Sequence, residues 1–521
     1  MLASFSSSSR PTSRGATTDL RATVKVAIVG AGIGGLATAC HLVGRGHDVS
    51  LYEAGDDVGG KACQRSVDGF RLDLGPTVLT MPAFLEATLR AAGAAPAELI
   101  ELTRLDPSYR AVFADGSEPS LRADRDLLAC EIGAFAGPAA AEGFHRWASW
   151  LDALAAVEVP NFIDRDFDSI FDAARDPRAV LAVARLGAAR PLASKIAGFF
   201  DDPRLQRAFS FQALYAGLSP FNARAAFGVI SWMDVLRGVY FPTGGMHAVP
   251  RALATAAEKA GAEVRLNTPV ERIEVRAGGR VRGVRTAAGV LERADCVVSN
   301  VDLPIAYRRL LDADPPRISR RGRYSPSCLL RVAGVRSHTN VRWAHHNVHF
   351  GSGWRGAFES LMDRGMRMHD PSLFVSVPTL SDPSLAPEGH HVVYALEPVP
   401  NLAGRVDWST EREPAREQLI ARLDAMGYPV DTVTEIVIDP ADWQRMGCTQ
   451  GTPFSLAHRF FQSGPFRPPL VDRRFPGLVH TGAGTRPGAG VPMVLLSGRL
   501  AADRVDAWGR ARVARSERWR Q

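Results

Sequence analysis

At 521 residues the chain exceeds the size at which one hydrophobic core keeps growing, so two or more domains around a large interior are expected. Its composition, 46% hydrophobic and 22% charged, is ordinary for a globular protein, and the absence of any run of about 20 apolar residues argues against a spanning helix. The net charge of +7 gathers in the tails, at Arg10 and Arg14 and again from Arg504 to Arg520, which leaves no basic face of the kind nucleic acid requires.

Residues 1–22, rich in Ser, Thr and Arg, lack the apolar stretch of a secretory signal and are expected to be a disordered extension. Order is expected from Val24. The run Val24–Val29 reads as a buried parallel strand, and Ile33–Gly44 carries Leu36, Ala39, Cys40 and Val43 at helical spacing. A second strand, Asp48–Tyr52, stops at Glu53 and completes a strand, helix, strand unit. From about Ala83 to Leu236 the Ala-rich and Leu-rich texture reads as mostly helical. Short β-branched strands follow at Val264–Leu266, Val270–Val275, Gly283–Thr286 and Cys296–Ser299. A second, mixed stretch runs to Asp472, and the strand Leu478–Thr481 leads through a Gly-rich turn to a helix from about Val491.

The expected fold class is therefore α/β: a Rossmann-like nucleotide-binding domain assembled from three segments, 23–82, 240–301 and 473–505. An inserted α+β substrate domain takes 83–239 and 302–472, and 506–521 forms a basic tail. The six cysteines are scattered without a CxxC pair, which speaks against a disulfide framework or a zinc site and for a reducing, cytoplasmic compartment.

The first turn, Gly30-Ala31-Gly32-Ile33-Gly34-Gly35, fits G-x-G-x-x-G between a strand and a helix. Gly30 serves the turn, Gly32 lets backbone approach a pyrophosphate, and Gly35 lets the helix pack on the sheet, with Gly34 among the cofactor-binding residues. Glu53, with Ala54 after it, stands where a carboxylate accepts from both adenosine ribose hydroxyls. A second cluster, Gly59-Gly60-Lys61, and then Asp73-Leu74-Gly75-Pro76-Thr77, bring backbone close again. A dinucleotide held along its whole length needs this and a nicotinamide cofactor does not, so the expected ligand is FAD. The turn Thr481–Pro492 offers exposed amides before a helix N-terminus, and Gly484, Pro487, Gly488, Gly490, Val491 and Pro492 are expected to cradle its flavin end; Val270 is a further expected cofactor contact.

Together these motifs resemble flavin amine oxidases and carotenoid desaturases, and the stretch Thr481–Pro492 is similar to that of the bacterial-type phytoene desaturases. Phe209-Ser-Phe-Gln-Ala213, Phe241–Met246, Val297-Val-Ser-Asn300 and His345-His-Asn347 extend the resemblance, which runs from Val24 to Asp503. It implies an FAD-dependent enzyme that removes two hydrogens from a C–C bond beside a conjugated polyene, phytoene to lycopene or a related product, with a quinone or oxygen as electron acceptor. Where the family commonly has His, this chain has Arg486, so an imidazole role is lost and a fixed positive charge is available. The ending from Pro492 resembles desaturases of hydroxylated carotenoids of the 1-hydroxycarotenoid 3,4-desaturase type, the alternative within the family.

A lipophilic polyene needs an apolar channel, for which Phe209, Phe211, Leu214 and Tyr215 are candidate walls. The apolar but Arg-broken stretch Ala179–Phe200 is a candidate surface-lying helix pair. With Trp508 and Trp519 among the C-terminal arginines, it suggests peripheral association with the cytoplasmic membrane. His345, His346 and His349 have no Cys or acid nearby before Glu359, so no metal is expected. The sequence names no catalytic base and no oligomeric state. Two further readings are a flavin amine oxidase, which the Pro-Gly-Ala-Gly turn disfavours, and a prenyl-binding escort protein that needs no flavin.

Overall fold

The computed structural model of the chain describes residues 23–518 except 168, 170, 173–175 and 338–342, with side chains as far as residue 512. The expected extension 1–22 and Trp519 lie outside the described residues.

Lys25–Val29 reads Lys-Val-Ala-Ile-Val, and its four apolar residues are all buried. Val26 and Ile28 pack on one face with Leu36, Cys40, Leu253 and Leu495, and Ala27 and Val29 on the other with Ile273, Val284 and Leu310. A strand covered on both faces belongs at the centre of a parallel sheet. It does so here, in the order Leu478–His480, Cys296–Ser299, Lys25–Val29, Asp48–Tyr52, Glu263–Arg265, all parallel. Helices Ile33–Val43, Ala248–Lys259 and Val491–Arg518 supply the residues on the first face. A three-stranded antiparallel sheet, Val270–Val275, Val281–Thr286 and Leu291–Arg293, covers the second. Connections leave the central strand toward both edges, which places a ligand crevice at the carboxyl ends of the strands.

A second sheet has seven strands, ordered Thr432–Ile438, Ser327–Arg336, His390–Val399, Leu373–Ser376, His346–Phe350, Tyr109–Phe113, Ser120–Leu121. Its period of two sorts side chains between layers. Leu329, Ala333 and Val335 meet Ala415, Leu419 and Leu423 of the helix Trp408–Ala425, while Cys328, Leu330 and Val332 point into the main core.

The stretch 83–236 is mostly helical, as expected, but it also holds three short strands, Leu102–Arg104, Tyr109–Phe113 and Ser120–Leu121. Tyr109, Ala111 and Phe113 alternate buried with half-buried Arg110 and Val112, a pattern of five residues that tertiary pairing to Asn347–Phe350 completes. The basic tail is not a free segment over its described part. Helix Val491–Arg518 runs through it, Asp506 bonds Arg45 at 2.7 Å and His47 at 2.6 Å, and Trp508 packs on the core between Arg280 and Arg512. Trp508 is therefore committed to packing, not offered to a bilayer.

Candidate active site

The first glycine turn sits at the carboxyl end of the central strand. The Gly30 amide donates to the Tyr52 carbonyl at 2.8 Å, and a Cβ on Gly35 would lie 2.1 Å from the Gly30 carbonyl oxygen, so the helix approaches the strand as only glycine allows. Gly32, at the N-cap of that helix, brings no capping side chain, which leaves the first-turn amides free for an anion. Glu53 accepts from the Ala31 amide at 2.7 Å through Oε2 and from the Gly55 amide at 2.9 Å through Oε1. An ionised carboxylate offers about four acceptor sites. Two are thus used to fix the group, and the remainder can receive a ribose.

The second cluster is tied to the first, since the Gly59 amide donates to the Ala31 carbonyl at 2.9 Å. A Cβ on Gly75 would come 1.9 Å from the Lys61 carbonyl oxygen, so the Gly75–Thr77 loop lies directly on it. Lys61 extends to the Pro453 carbonyl at 3.0 Å. Asp73 accepts from the Met246 amide at 2.6 Å and the Gln64 amide nitrogen at 3.0 Å, bracing the Gly244–Met246 turn. Burial pushes its carboxyl up to about 6, against the pull of these bonds.

The C-terminal turn joins the same crevice. The Thr481 amide donates to the Ser299 carbonyl at 3.0 Å and the Gly482 amide to Ser497 Oγ at 3.0 Å. At the junction stands Asn300, whose amide nitrogen donates to the Gly30 carbonyl at 3.3 Å. A Cβ on Gly32, Gly34 or Gly482 would fall within 2.8 Å of its side-chain amide. The motif Val297–Asn300 marks this residue in the sequence without placing it in the site. The available signal was a polar residue ending a buried strand of the parallel sheet. Arg467 was missed altogether. It is fully buried and holds the turn through Ala483 at 2.7 Å and Thr485 at 3.0 Å, and burial lowers its guanidinium to about 10.

Arg486 corrects an expectation. Its guanidinium pairs with Asp166 at 3.1 Å, donates to the Pro465 carbonyl at 2.8 Å and to that of Phe167, and is buried. The guanidinium is thus tied to the turn by Asp166 and two carbonyls, although it also lines the cavity.

These turns form one end of a cavity of about 1820 Å³, larger than the roughly 300–1,000 Å³ of ordinary ligand pockets. Gly30, Gly32, Gly34, Glu53, Ala54, Gly59, Gly60, Lys61, Gly75, Pro76, Thr77 and Val270 line it, with Gly484, Pro487, Gly490, Val491 and Pro492. Gly35 lies beneath the wall, and Gly488 turns toward the His458 ring, 2.2 Å from where its Cβ would be. Phe211, Leu214 and Tyr215 line the cavity as expected walls, but Phe209 does not. It is wholly buried against Trp147 at 4.4 Å and Phe200 at 4.9 Å, within the aromatic cluster of the core.

The far wall is the inner face of the seven-stranded sheet, with Phe350, Phe374, Tyr394 and Leu396. Phe460 and Phe461 line the cavity and are 61% and 69% exposed, which marks a mouth. Val180, on helix Pro177–Arg185 from the predicted helix pair, is likewise exposed and lines the cavity. The histidine motif lies elsewhere in its chemistry. His345 pairs with Ser381 at 2.8 Å and His349 with Tyr428 at 2.9 Å, while burial lowers His346 to about 3 and His349 to about 4. Among the described residues no three His, Cys, Asp or Glu side chains are grouped to hold a metal ion.

Free helix-end amides, the half-satisfied Glu53 carboxylate and two further backbone approaches along one crevice fit an extended dinucleotide such as FAD.

Residues 33–506 match the family of flavin containing amine oxidoreductases. A phytoene dehydrogenase from Streptomyces griseus is 44% identical over 94% of this chain and 97% of its own. A zeta-carotene-forming phytoene desaturase from Myxococcus xanthus is 36% identical over 94% of this chain and 95% of its own. In fold, an oxidoreductase from Methanosarcina mazei superimposes with a TM-score of 0.61 over 92% of this chain and all (100%) of its own, at 18% identity. A flavin cofactor removes the premise of the escort reading. The chain belongs to the flavin containing amine oxidoreductase family, among the phytoene dehydrogenases and desaturases, and is an FAD-dependent oxidoreductase.

Proposed function

We propose that the chain desaturates a carotenoid precursor, phytoene or a polyene derived from it, within carotenoid biosynthesis. The observation that carries this reading is the continuity of one cavity from the glycine turns, past an aromatic and aliphatic sheet face, to exposed phenylalanines at its mouth. A polar amine substrate would have little to bind along such a wall, whereas a hydrocarbon chain gains from every apolar contact.

In this reading 23–82, 240–301 and 473–505 hold the cofactor and the intervening segments hold the substrate. The first-turn amides after Gly32 take the pyrophosphate, Glu53 the ribose, and the Gly484–Pro492 turn the flavin end. The flavin supplies the acceptor for the hydride. Phe374, Leu396, Phe211 and Leu214 grip the polyene, orient one carbon pair and keep water out. Val180, Phe460 and Phe461 dip into the cytoplasmic face of the membrane so that the substrate enters without crossing water, and a quinone or oxygen takes the electrons afterwards.

Expression in a host that accumulates phytoene, followed by chromatography of the pigments, tests the reading. A product with a longer conjugated system is expected. Unchanged phytoene beside a soluble, FAD-loaded protein would overturn it. Recovery of a product only when hydroxylated carotenoids are supplied would select the 3,4-desaturase alternative suggested by the sequence after Pro492.

A further inference from the structure

Dehydrogenation of adjacent carbons releases two hydrogens in different forms. One leaves with its bonding pair to the oxidised flavin. The other leaves as a proton, and its bonding pair becomes the new double bond. Something must take that proton inside an apolar cavity. Resting on the function proposed above, we infer that Asp234, held by Tyr109, is the base that takes it.

Among the described residues four acids line the cavity: Glu53, Glu158, Asp234 and Asp302. Glu53 is fixed by two amides at the carboxyl end of the second parallel strand. Asp302 accepts from Thr449 and lies under the influence of Lys61. Glu158 is buried, and burial alone governs it, pushing its carboxyl well above the usual range. Among the described residues no donor reaches it to favour the charged form, which makes it a poor carboxylate base.

Unlike Asp302, on which Lys61 acts, Asp234 is buried and supported by neutral donors alone. Its Oδ1 accepts from the Tyr109 hydroxyl at 2.5 Å and its Oδ2 from the Gln212 amide nitrogen at 3.3 Å. The Ser231 hydroxyl donates to Gln212 Oε1 at 3.1 Å, which aims the amide nitrogen at the carboxylate. A carboxylate can therefore exist in this wall. Burial pushes it up to about 7 and the two bonds oppose the rise, so it titrates near neutrality, where a general base works best. Among the described residues the titratable side chains acting on it are Tyr109 and Tyr215, and no charged one is.

Its position suits the task. Tyr109 stacks on His346 at 5.5 Å, and the backbone of Thr77, in the second cofactor loop, approaches the His346 ring. Met233, the preceding residue, packs in one cluster with Met81 and with Met493, which follows Pro492. Met233 thus packs near the segments that follow both turns expected to flank the flavin, and Asp234, the next residue, lines the same cavity. Tyr215, on the same wall, faces Tyr109 and offers a neighbouring hydroxyl through which the proton can pass on.

The test is anaerobic flavin bleaching by phytoene in liposomes, followed across pH 5–9 in the FAD-loaded wild type, Asp234→Asn, Tyr109→Phe and Glu158→Gln. Wild type is expected to gain rate as pH rises through about 7. Asp234→Asn should lose about 100-fold or more, together with that pH limb, while retaining FAD and substrate binding. Asp234→Glu should restore part of the rate. Tyr109→Phe removes a bond that favours the charged form, so its limb should move to higher pH. In the infrared, a buried carboxylic acid band that disappears as pH passes about 7 should be missing from Asp234→Asn without any turnover.

A wild-type rate in Asp234→Asn, or a slower rate with the pH limb intact, would overturn the assignment. So would transfer of the effect to Glu158→Gln. Should Asp234→Asn fail to bind FAD, an unmoved limb in Tyr109→Phe overturns it. If wild type itself is not bleached by phytoene, the proposed function fails instead, and the infrared band still reports on Asp234.

Discussion

The two ends of the cavity are built by different means. At the end formed by the parallel sheet, recognition is done by backbone: amides after Gly32, carbonyls and amides around Gly59, Gly75 and Gly482, with Glu53 and Asn300 as the side chains that fix them. At the end formed by the seven-stranded sheet, recognition is done by the shape of side chains such as Phe350, Phe374 and Leu396. A backbone site tolerates almost no added volume, because its walls cannot change rotamer. A side-chain wall can yield.

The largest effect that would break this contrast is at Gly35. Its substitution by Ala places a methyl 2.1 Å from the Gly30 carbonyl oxygen, which the helix can relieve only by moving. Overpacking of this kind costs about 3 kcal/mol. The purified variant is expected to be colourless and to melt earlier, and a yellow protein with unchanged Tm would contradict the packing argument. Glu53→Gln comes next. It removes the charge facing the ribose while keeping the shape, and a charged hydrogen bond contributes about 1.5–3 kcal/mol, or roughly 10- to 100-fold in FAD affinity. Titration of the apoprotein with FAD measures it.

The shape-built end should answer more mildly and in other observables. Phe374→Ala is expected to raise KM for phytoene about 10-fold while leaving the FAD spectrum unchanged, since the ring lies on the cavity wall away from the glycine turns. Loss of FAD instead would show that the two ends are not separable. The smallest effect on stability is at the mouth. Phe461→Asp should leave Tm within about 1 °C, as surface changes usually stay within about 0.5 kcal/mol, yet slow turnover in liposomes more than in detergent.

The same contrast sets the response to acid. His346 and His349 are held neutral by burial in the seven-stranded sheet, at about 3 and about 4 against an ordinary value near 6.5. A depressed value means that the stabilisation is present above pH 6.5 and is lost as pH falls toward the folded value. Each such group steepens the decline by up to about 1.4 kcal/mol per pH unit. His346→Phe should flatten the decline of stability between pH 6.5 and 4, which urea unfolding at several pH values would measure.

How much was legible in the sequence follows the same division. The glycine turns, Glu53, and the strands Asp48–Tyr52 and Cys296–Ser299 were legible at or near their observed positions, because a turn that needs glycine and a strand buried on both faces leave local marks, while Val270–Val275 was marked by β-branched residues between turns. The strand Tyr109–Phe113 was not, since its partner His346–Phe350 lies more than two hundred residues away and five alternating residues do not outweigh their helical surroundings. Phe209 and Arg486 show the limit on side chains. A sequence can place a ring or a guanidinium in a motif, but whether it faces a cavity or the core depends on neighbours such as Trp147 and Asp166 that come from other segments. Asn300 and Arg467 were overlooked for the same reason, as their partners Gly30, Gly482, Ala483 and Thr485 converge only in the fold.

The central claim is that one cavity brings a polyene to a bound flavin. The most direct measurement is the visible spectrum of the purified, FAD-loaded protein mixed anaerobically with phytoene in liposomes or, separately, with a soluble polyamine. Phytoene is expected to bleach the flavin, with the bands of a longer polyene rising in its place. Bleaching by the amine alone, with phytoene inert, would contradict it.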